Sequence, residues 1–262
     1  VYGILNKKIP AIAKQLKIEK TPIKEDAGYR VLLGAFNTYN IKGEFYRLDD
    51  PDRLLNDKTL LADRYKNGLL KSEWDHPDVS GLPPEAARER YLYIDPNRTC
   101  NQITKVEFFT TNIKEEGWDL PIILVIGWVV PIPVFGDKLE QLLKDPNINV
   151  AYSVRVINLK PKLINGIKVK DVLDVITWDY VSEPGIYTST QWMAGGLKPR
   201  SSEVSSEGLC IDGRCPITRS KSSVSTESVL NTDDSNETIK KYKEIIDREL
   251  RKRGSAFSEW VI

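Results

Sequence analysis

Residues 149 to 160, NVAYSVRVINLK, alternate without a slip. Successive side chains of an extended backbone point to opposite sides, so Val150, Tyr152, Val154 and Val156 share one face. Ala151, Ser153, Arg155 and Ile157 share the other. A strand of this kind needs a sheet around it. The neighbouring segments supply one: GYRVLLGAFNTYNIKGEFYR (28 to 47) reads as strand, turn, strand, and ITKVEFFTTNI (103 to 113) alternates like a strand. LPIILVIGWVVPI (120 to 132) reads as a buried strand, and IKVKDVLDVITWDYV (167 to 181) holds at least one more.

Between the strands lie short helical patterns. Residues 49 to 70 carry Leu54, Leu55, Leu60, Leu61 and Tyr65 near helical spacing, with Asp49 or Asp50 as a cap before Pro51. LPPEAARERYLYI (82 to 94) begins with prolines, as a helix can, and GDKLEQLLKDP (136 to 146) repeats leucine on one face. The order shows no βαβ rhythm, no glycine-rich phosphate loop and no GxSxG elbow. These features predict an α+β fold built largely on antiparallel strands.

Both ends differ from this centre. Residues 1 to 27 form a Lys-rich stretch, interrupted by Pro10 and Pro22, that reads as a basic N-terminal arm rather than core. The folded domain is expected over 28–195. Residues 196–234 are Ser-rich and charged, and read as a disordered linker because they have too little apolar surface to offset the entropy of ordering. Residues 235–262 read as a C-terminal amphipathic helix, with Ile239, Tyr242, Ile246 and Leu250 as its stripe. The chain lacks an initial Met, which reads as a fragment or a processed form.

The balance of charge narrows the function. A net charge of +1 over 262 residues gives no overall field for nucleic acid. The longest apolar run, 120 to 135, is broken by prolines, so no membrane partner is expected. Three cysteines, Cys100, Cys210 and Cys215, are too few and too scattered for a disulfide scaffold or a metal site. No cofactor and no metal are expected.

The chemistry centres on the chain's one histidine, His76, in LLKSEWDHPDVSGL (69 to 82). It is either a loop residue or a base able to work near neutral pH. Ser153 shares a strand face with Arg155, which would set a positive charge beside an anion formed at the serine. Asp179, in TWDYV, could orient an imidazole. Asp174, Glu73 and Asp75 compete with it. Glu73 and Asp75 flank His76 either as solvated charges or as groups that raise its pKa.

Several strings sharpen this reading. NTYNIKGEFY (37 to 46), LLKSEWDHP (69 to 77), VIGWVVPIPVFGDKLEQLL (125 to 143), VAYSVRV (150 to 156) and ITWDYVSEPG (176 to 185) stand in order along the chain. Over roughly residues 28 to 186 the chain resembles the prohead (procapsid maturation) serine proteases of tailed phages, related to the herpesvirus assemblins. There the His-Pro motif carries the catalytic histidine and the Ser-x-Arg strand carries the nucleophile. The resemblance implies a compact β-barrel surrounded by short helices, with a flexible C-terminal tail. It implies His76 as general base, Ser153 as nucleophile, Asp179 as third member and Arg155 as oxyanion support, directly or through water. It implies scaffold or core proteins and the major capsid protein as substrates, inside an assembling prohead in the host cytoplasm. Homo-oligomerisation is known in the wider clan, and self-cleavage has a candidate site in PIKEDAG (22 to 28). Ser72, Ala151, Tyr152 and Val154 depart from the family pattern. They bear on the shape of the pocket more than on its chemistry; those near Ser153, with the coil-like tail, are the best support for the rival reading, an inactive scaffold or head-interaction protein that keeps the fold.

Overall fold

The computed structural model describes residues 24–56 and 58–186, together with the single residues 12, 16, 22, 189, 190 and 244. In chain order the strands are β1 (Lys24–Glu25), β2 (Gly28–Phe36), β3 (Thr38–Tyr39), β4 (Phe45–Arg47), β5 (Lys71–Glu73), β6 (Thr99–Lys114), β7 (Pro121–Pro131), β8 (Ala151–Asn158), β9 (Lys162–Ile164) and β10 (Ile167–Val181). The helices are α1 (Arg53–Asn56), α2 (Leu60–Lys66), α3 (Pro84–Leu92) and α4 (Phe135–Lys144).

The strands form two sheets. One runs β1-β2-β7-β6-β5, antiparallel throughout. The other runs β3-β4-β10-β8, with β9 also paired to β10. Only the β4–β10 pair in it is parallel. A parallel bridge from Trp74 to Tyr180 joins the sheets beyond the end of β5. The fold is α+β and mostly antiparallel, as expected. Among the described residues the strands are not found to close into the expected barrel.

β8 is buried along its length, and its two faces meet different neighbours. Tyr152, Val154 and Val156 enter the main core with Val31, Leu33, Val125 and Val129 of the first sheet. Taking each such side chain out of water contributes about 1.5–3 kcal/mol. On the opposite face Ile157 packs with Leu60, Tyr91, Leu92 and Ile176, beneath α2 and α3. The site-bearing face of β8 is therefore roofed by helices.

The outer face of the first sheet carries a separate apolar cluster. Leu32, Leu124, Ile126 and Ile186 pack there around Ile12, with Leu16 and Ala27 against them. Residues 12 and 16, from the stretch read as an arm, thus lie against the sheet. Other residues of that stretch, the Ser-rich segment and the C-terminal helix lie outside the described residues, apart from Pro22, the stretch 24–27 and the helical Glu244.

The helical pattern of residues 49 to 70 resolves into α1 and α2. Thr59 restarts the helix: its Oγ1 accepts the Ala62 N–H at 3.0 Å, as N-cap hydroxyls do. Arg64 of α2 is buried and donates to the carbonyls of Ile176 (2.6 Å) and Leu92 (2.8 Å). It ties α2 both to β10 and to the end of α3.

Candidate active site

The site begins with strand register. β8 and β10 pair so that Ser153 faces Asp179 and Arg155 faces Thr177. Opposed residues of an antiparallel pair present their side chains to the same face, with Cβ atoms about 5 Å apart. Two residues 26 apart in sequence are thereby neighbours.

His76 reaches the same place by a turn. β5 ends at Glu73. Trp74 is then fixed by its N–H on the Arg98 carbonyl (2.8 Å), and Asp75 by its N–H on the Tyr180 carbonyl (2.7 Å). Asp75 has φ +68, a left-handed conformation that Asp tolerates better than most residues. Its carboxylate accepts the His76 N–H at 2.9 Å. Pro77 biases His76 toward an extended backbone. The imidazole Nδ1 then lies 2.8 Å from Asp179 Oδ2.

Asp179 is fully buried and accepts four hydrogen bonds. Oδ1 takes the Glu73 N–H (3.0 Å) and Arg155 Nη2 (2.8 Å). Oδ2 takes Arg155 Nε (2.9 Å) and the His76 contact. Burial alone would push this carboxyl up, but the Arg155 charge and the His76 bond hold it well below the usual carboxylate range. An ionised Asp179 requires the proton of neutral His76 to sit on Nδ1. Nε2 is left with its lone pair free.

Arg155 is also fully buried. Its Nη1 donates to the carbonyls of Tyr91 (3.0 Å) and Tyr93 (2.9 Å). Its Nη2 also meets Glu73 Oε1 at 3.3 Å. With the two bonds to Asp179, each of the three guanidinium nitrogens donates to a protein acceptor. Burial pulls its pKa down, yet the charges of Asp179 and Glu73 raise it overall.

Glu73 is the residue the sequence reading undervalued. Its side chain has no exposure, and Arg90 holds it in a fork at 3.1 and 2.6 Å. The Asp95 N–H adds a bond at 2.8 Å. It is no solvated flank of His76. It shares Arg155 Nη2 with Asp179 and adds a second negative charge beside the guanidinium. A three-residue strand has too little alternation to reveal this, so no signal in the sequence marks Glu73 as buried. Asp75 is exposed and bonds the backbone of His76, not its ring. Asp174 lies elsewhere on β10, bonded to the Leu60 N–H at 2.7 Å.

Ser153 is nearly covered, and its Oγ accepts the Gly185 N–H at 3.4 Å. Among the described residues, no hydrogen bond joins Ser153 to His76. Beside His76, Trp74 packs on Tyr180 (4.5 Å between ring centres) and on Phe135 (5.7 Å). Among the described residues no group of three or more His, Cys, Asp or Glu side chains could hold a metal ion. Cys100 is a buried free thiol, its pKa pushed far up by burial. Cys210 and Cys215 lie outside the described residues.

Comparison with known proteins adds two matches. The model of one family, the Peptidase S80 family, matches residues 11–250. The "Capsid maturation protease" of Pseudomonas phage phiKZ is 32% identical over 178 residues, covering 66% of this chain and 64% of that relative. The chain thus spans less than two thirds of the length of the curated relative it matches. No solved structure matches it.

Proposed function

The chain belongs to the Peptidase S80 family, and from that premise we propose that it is a serine endopeptidase. Its substrates are the scaffold or core and major capsid proteins of a phage head under assembly, and it works inside that head. The observation that carries this reading is the 2.8 Å contact of His76 with a buried, ionised Asp179, which is itself the strand partner of Ser153. The name of the phiKZ relative supports the choice of substrate.

Each residue has one task. Ser153 Oγ adds to the scissile carbonyl, and its proton passes to His76 Nε2. The carbonyl π pair moves onto oxygen. Asp179 holds Nδ1–H and stabilises the imidazolium. When the carbon–nitrogen bond breaks, His76 returns the proton to the departing amine. Water, deprotonated by the same imidazole, then adds to the acyl carbon, and His76 passes that proton to Ser153 Oγ as the carbon–oxygen bond breaks and the acid is released. Arg155 serves this scheme by holding Asp179 in place. The Ser153–His76 bond forms in the substrate complex, since catalytic hydrogen bonds are often loose in the free enzyme. No cofactor enters.

Self-cleavage after Glu25 belongs to the same proposal. Glu25 sits on the exposed two-residue β1, and its carboxylate accepts Trp128 Nε1–H at 2.7 Å. Cutting there requires β1 to leave β2. Intact-mass analysis after long incubation should find a species beginning at Asp26. Unchanged termini in an enzyme that cuts its substrates would refute self-cleavage alone.

The central test compares wild type, Ser153→Ala and His76→Ala on the cognate scaffold protein, read by intact mass. Discrete fragments from wild type and none from either variant are expected. Equal behaviour of all three would make the chain a non-catalytic head protein.

A further inference from the structure

We propose that the backbone N–H of Gly185 is the oxyanion donor of this site. The inference rests on the serine peptidase reading above. A serine nucleophile needs donors aimed at the oxygen that becomes charged. Arg155 does not reach that oxygen directly: it has no exposure, and each guanidinium nitrogen already donates to Asp179, Tyr91 or Tyr93, with Nη2 also paired to Glu73. The N–H of Ser153 is excluded by strand direction. The Tyr152 N–H points away from β10, onto the Ser189 carbonyl at 3.1 Å. Successive N–H groups of a strand alternate sides, so that of Ser153 faces β10 and its ladder.

The Gly185 N–H remains. It is directed at Ser153 Oγ from 3.4 Å, a long contact for a hydrogen bond to the hydroxyl itself. It lies close enough to meet an oxygen bonded to the same carbon as Oγ. Because Oγ accepts from Gly185, its own proton is free to turn toward His76 Nε2.

The placement of Gly185 is built, not incidental. Pro184 restricts the residue ahead of it, and the Ile41 N–H holds its carbonyl at 2.8 Å. Ile41 belongs to the NTYNIKG segment, which no other part of the scheme uses. Asn40 shapes that loop: its Oδ1 accepts the N–H groups of Lys42 and Glu44, each at 2.9 Å. On the far side, the Ser189 carbonyl and the Ala151–Thr190 bridge pin the chain to the start of β8. Backbone on both sides of Gly185 is thereby tied to the body of the protein. When Oγ bonds to the carbonyl carbon and the π pair moves to oxygen, this N–H donates to it.

The test deletes only that hydrogen. Replacing Gly185 by glycolic acid turns the 184–185 amide into an ester; Gly185→Pro is the genetic counterpart. The ester and Gly185→Pro should lose about 100- to 1,000-fold in kcat with KM within about threefold. Affinity for a peptide boronate, whose adduct on Ser153 is tetrahedral, should fall in parallel, while that for an uncut planar analogue should not. The ester guards against a proline variant that fails to fold. An ester enzyme whose kcat and boronate affinity stay within about threefold of wild type would overturn the assignment. So would a rise in kcat, which would make the Gly185 N–H an obstruction. Failure of wild type to cut substrate or to take a fluorophosphonate on Ser153 would instead remove the serine reading, and this inference with it.

Discussion

Asp174 and Asp179 stand five residues apart on β10, both buried to 2% exposure or less, yet they ionise in opposite ways. Burial pushes Asp174 up to about 6. Its principal partners are backbone N–H groups, those of Leu60 (2.7 Å) and Val175 (2.7 Å). Asp179 is driven well below the usual range, because Arg155 and His76 outweigh the same burial. At Asp174 the backbone N–H groups and the Arg64 charge offset only part of the desolvation, whereas at Asp179 a directly bonded guanidinium and imidazole more than offset it. The strand thus carries one carboxylate held ionised well into acid and one that gains a proton in mild acid.

The most damaging way to break the contrast is Asp179→Asn. Loss of the carboxylate removes the charge that sets the His76 tautomer, and kcat should fall on the order of 10⁴-fold. Steady-state kinetics on a scaffold-derived peptide would measure it, and a loss below about tenfold would take Asp179 out of the mechanism. Next comes Arg155→Met, which strands the Asp179 and Glu73 charges without their buried partner. A stability loss of about 3–5 kcal/mol is expected in denaturant unfolding. A loss under about 1 kcal/mol would mean that the remaining donors suffice for both carboxylates.

The third experiment uses pH. Asp174 has its folded value raised from 3.8 to about 6. Its contribution is therefore present below 3.8 and is lost as pH rises through about 6. Asp179 has the reverse sign: its contribution is present above the unfolded value and is lost as pH falls toward its depressed folded one. Between about pH 4 and about pH 8, wild type should lose about 3 kcal/mol of stability relative to Asp174→Asn. Parallel stability curves for the two proteins would contradict the raised value. The smallest effect is expected from Thr59→Ala. That change removes the cap of α2, whose first N–H groups face Asp174, and should cost about 1 kcal/mol with activity unchanged.

Legibility differed from element to element. The alternation of residues 150 to 157 correctly assigned which side chains enter the core and which share a face with Ser153. The long strands β6, β7 and β10 were visible because each runs through many residues of consistent pattern. The break between α1 and α2 was not, because one hydroxyl on Thr59 decides it. His76 stood out only as the chain's one histidine in a His-Pro string. Nothing local said that it would meet Asp179 rather than Asp75, its immediate neighbour.

The sequence by itself determined the α+β class, the antiparallel bias and the pairing of Ser153 with Arg155 on one strand face. All three follow from side-chain periodicity, which is a property of the local backbone. Tertiary structure alone decided that Glu73 is buried, that Arg155 turns its donors to two carboxylates, and that Asp179 rather than Asp174 meets the imidazole. Those outcomes depend on strand register and on one left-handed turn at Asp75. The contacts of Asp179 with Glu73 and His76 join residues more than a hundred positions apart, and their energies are set by the charge and solvent exposure that only the assembled fold creates.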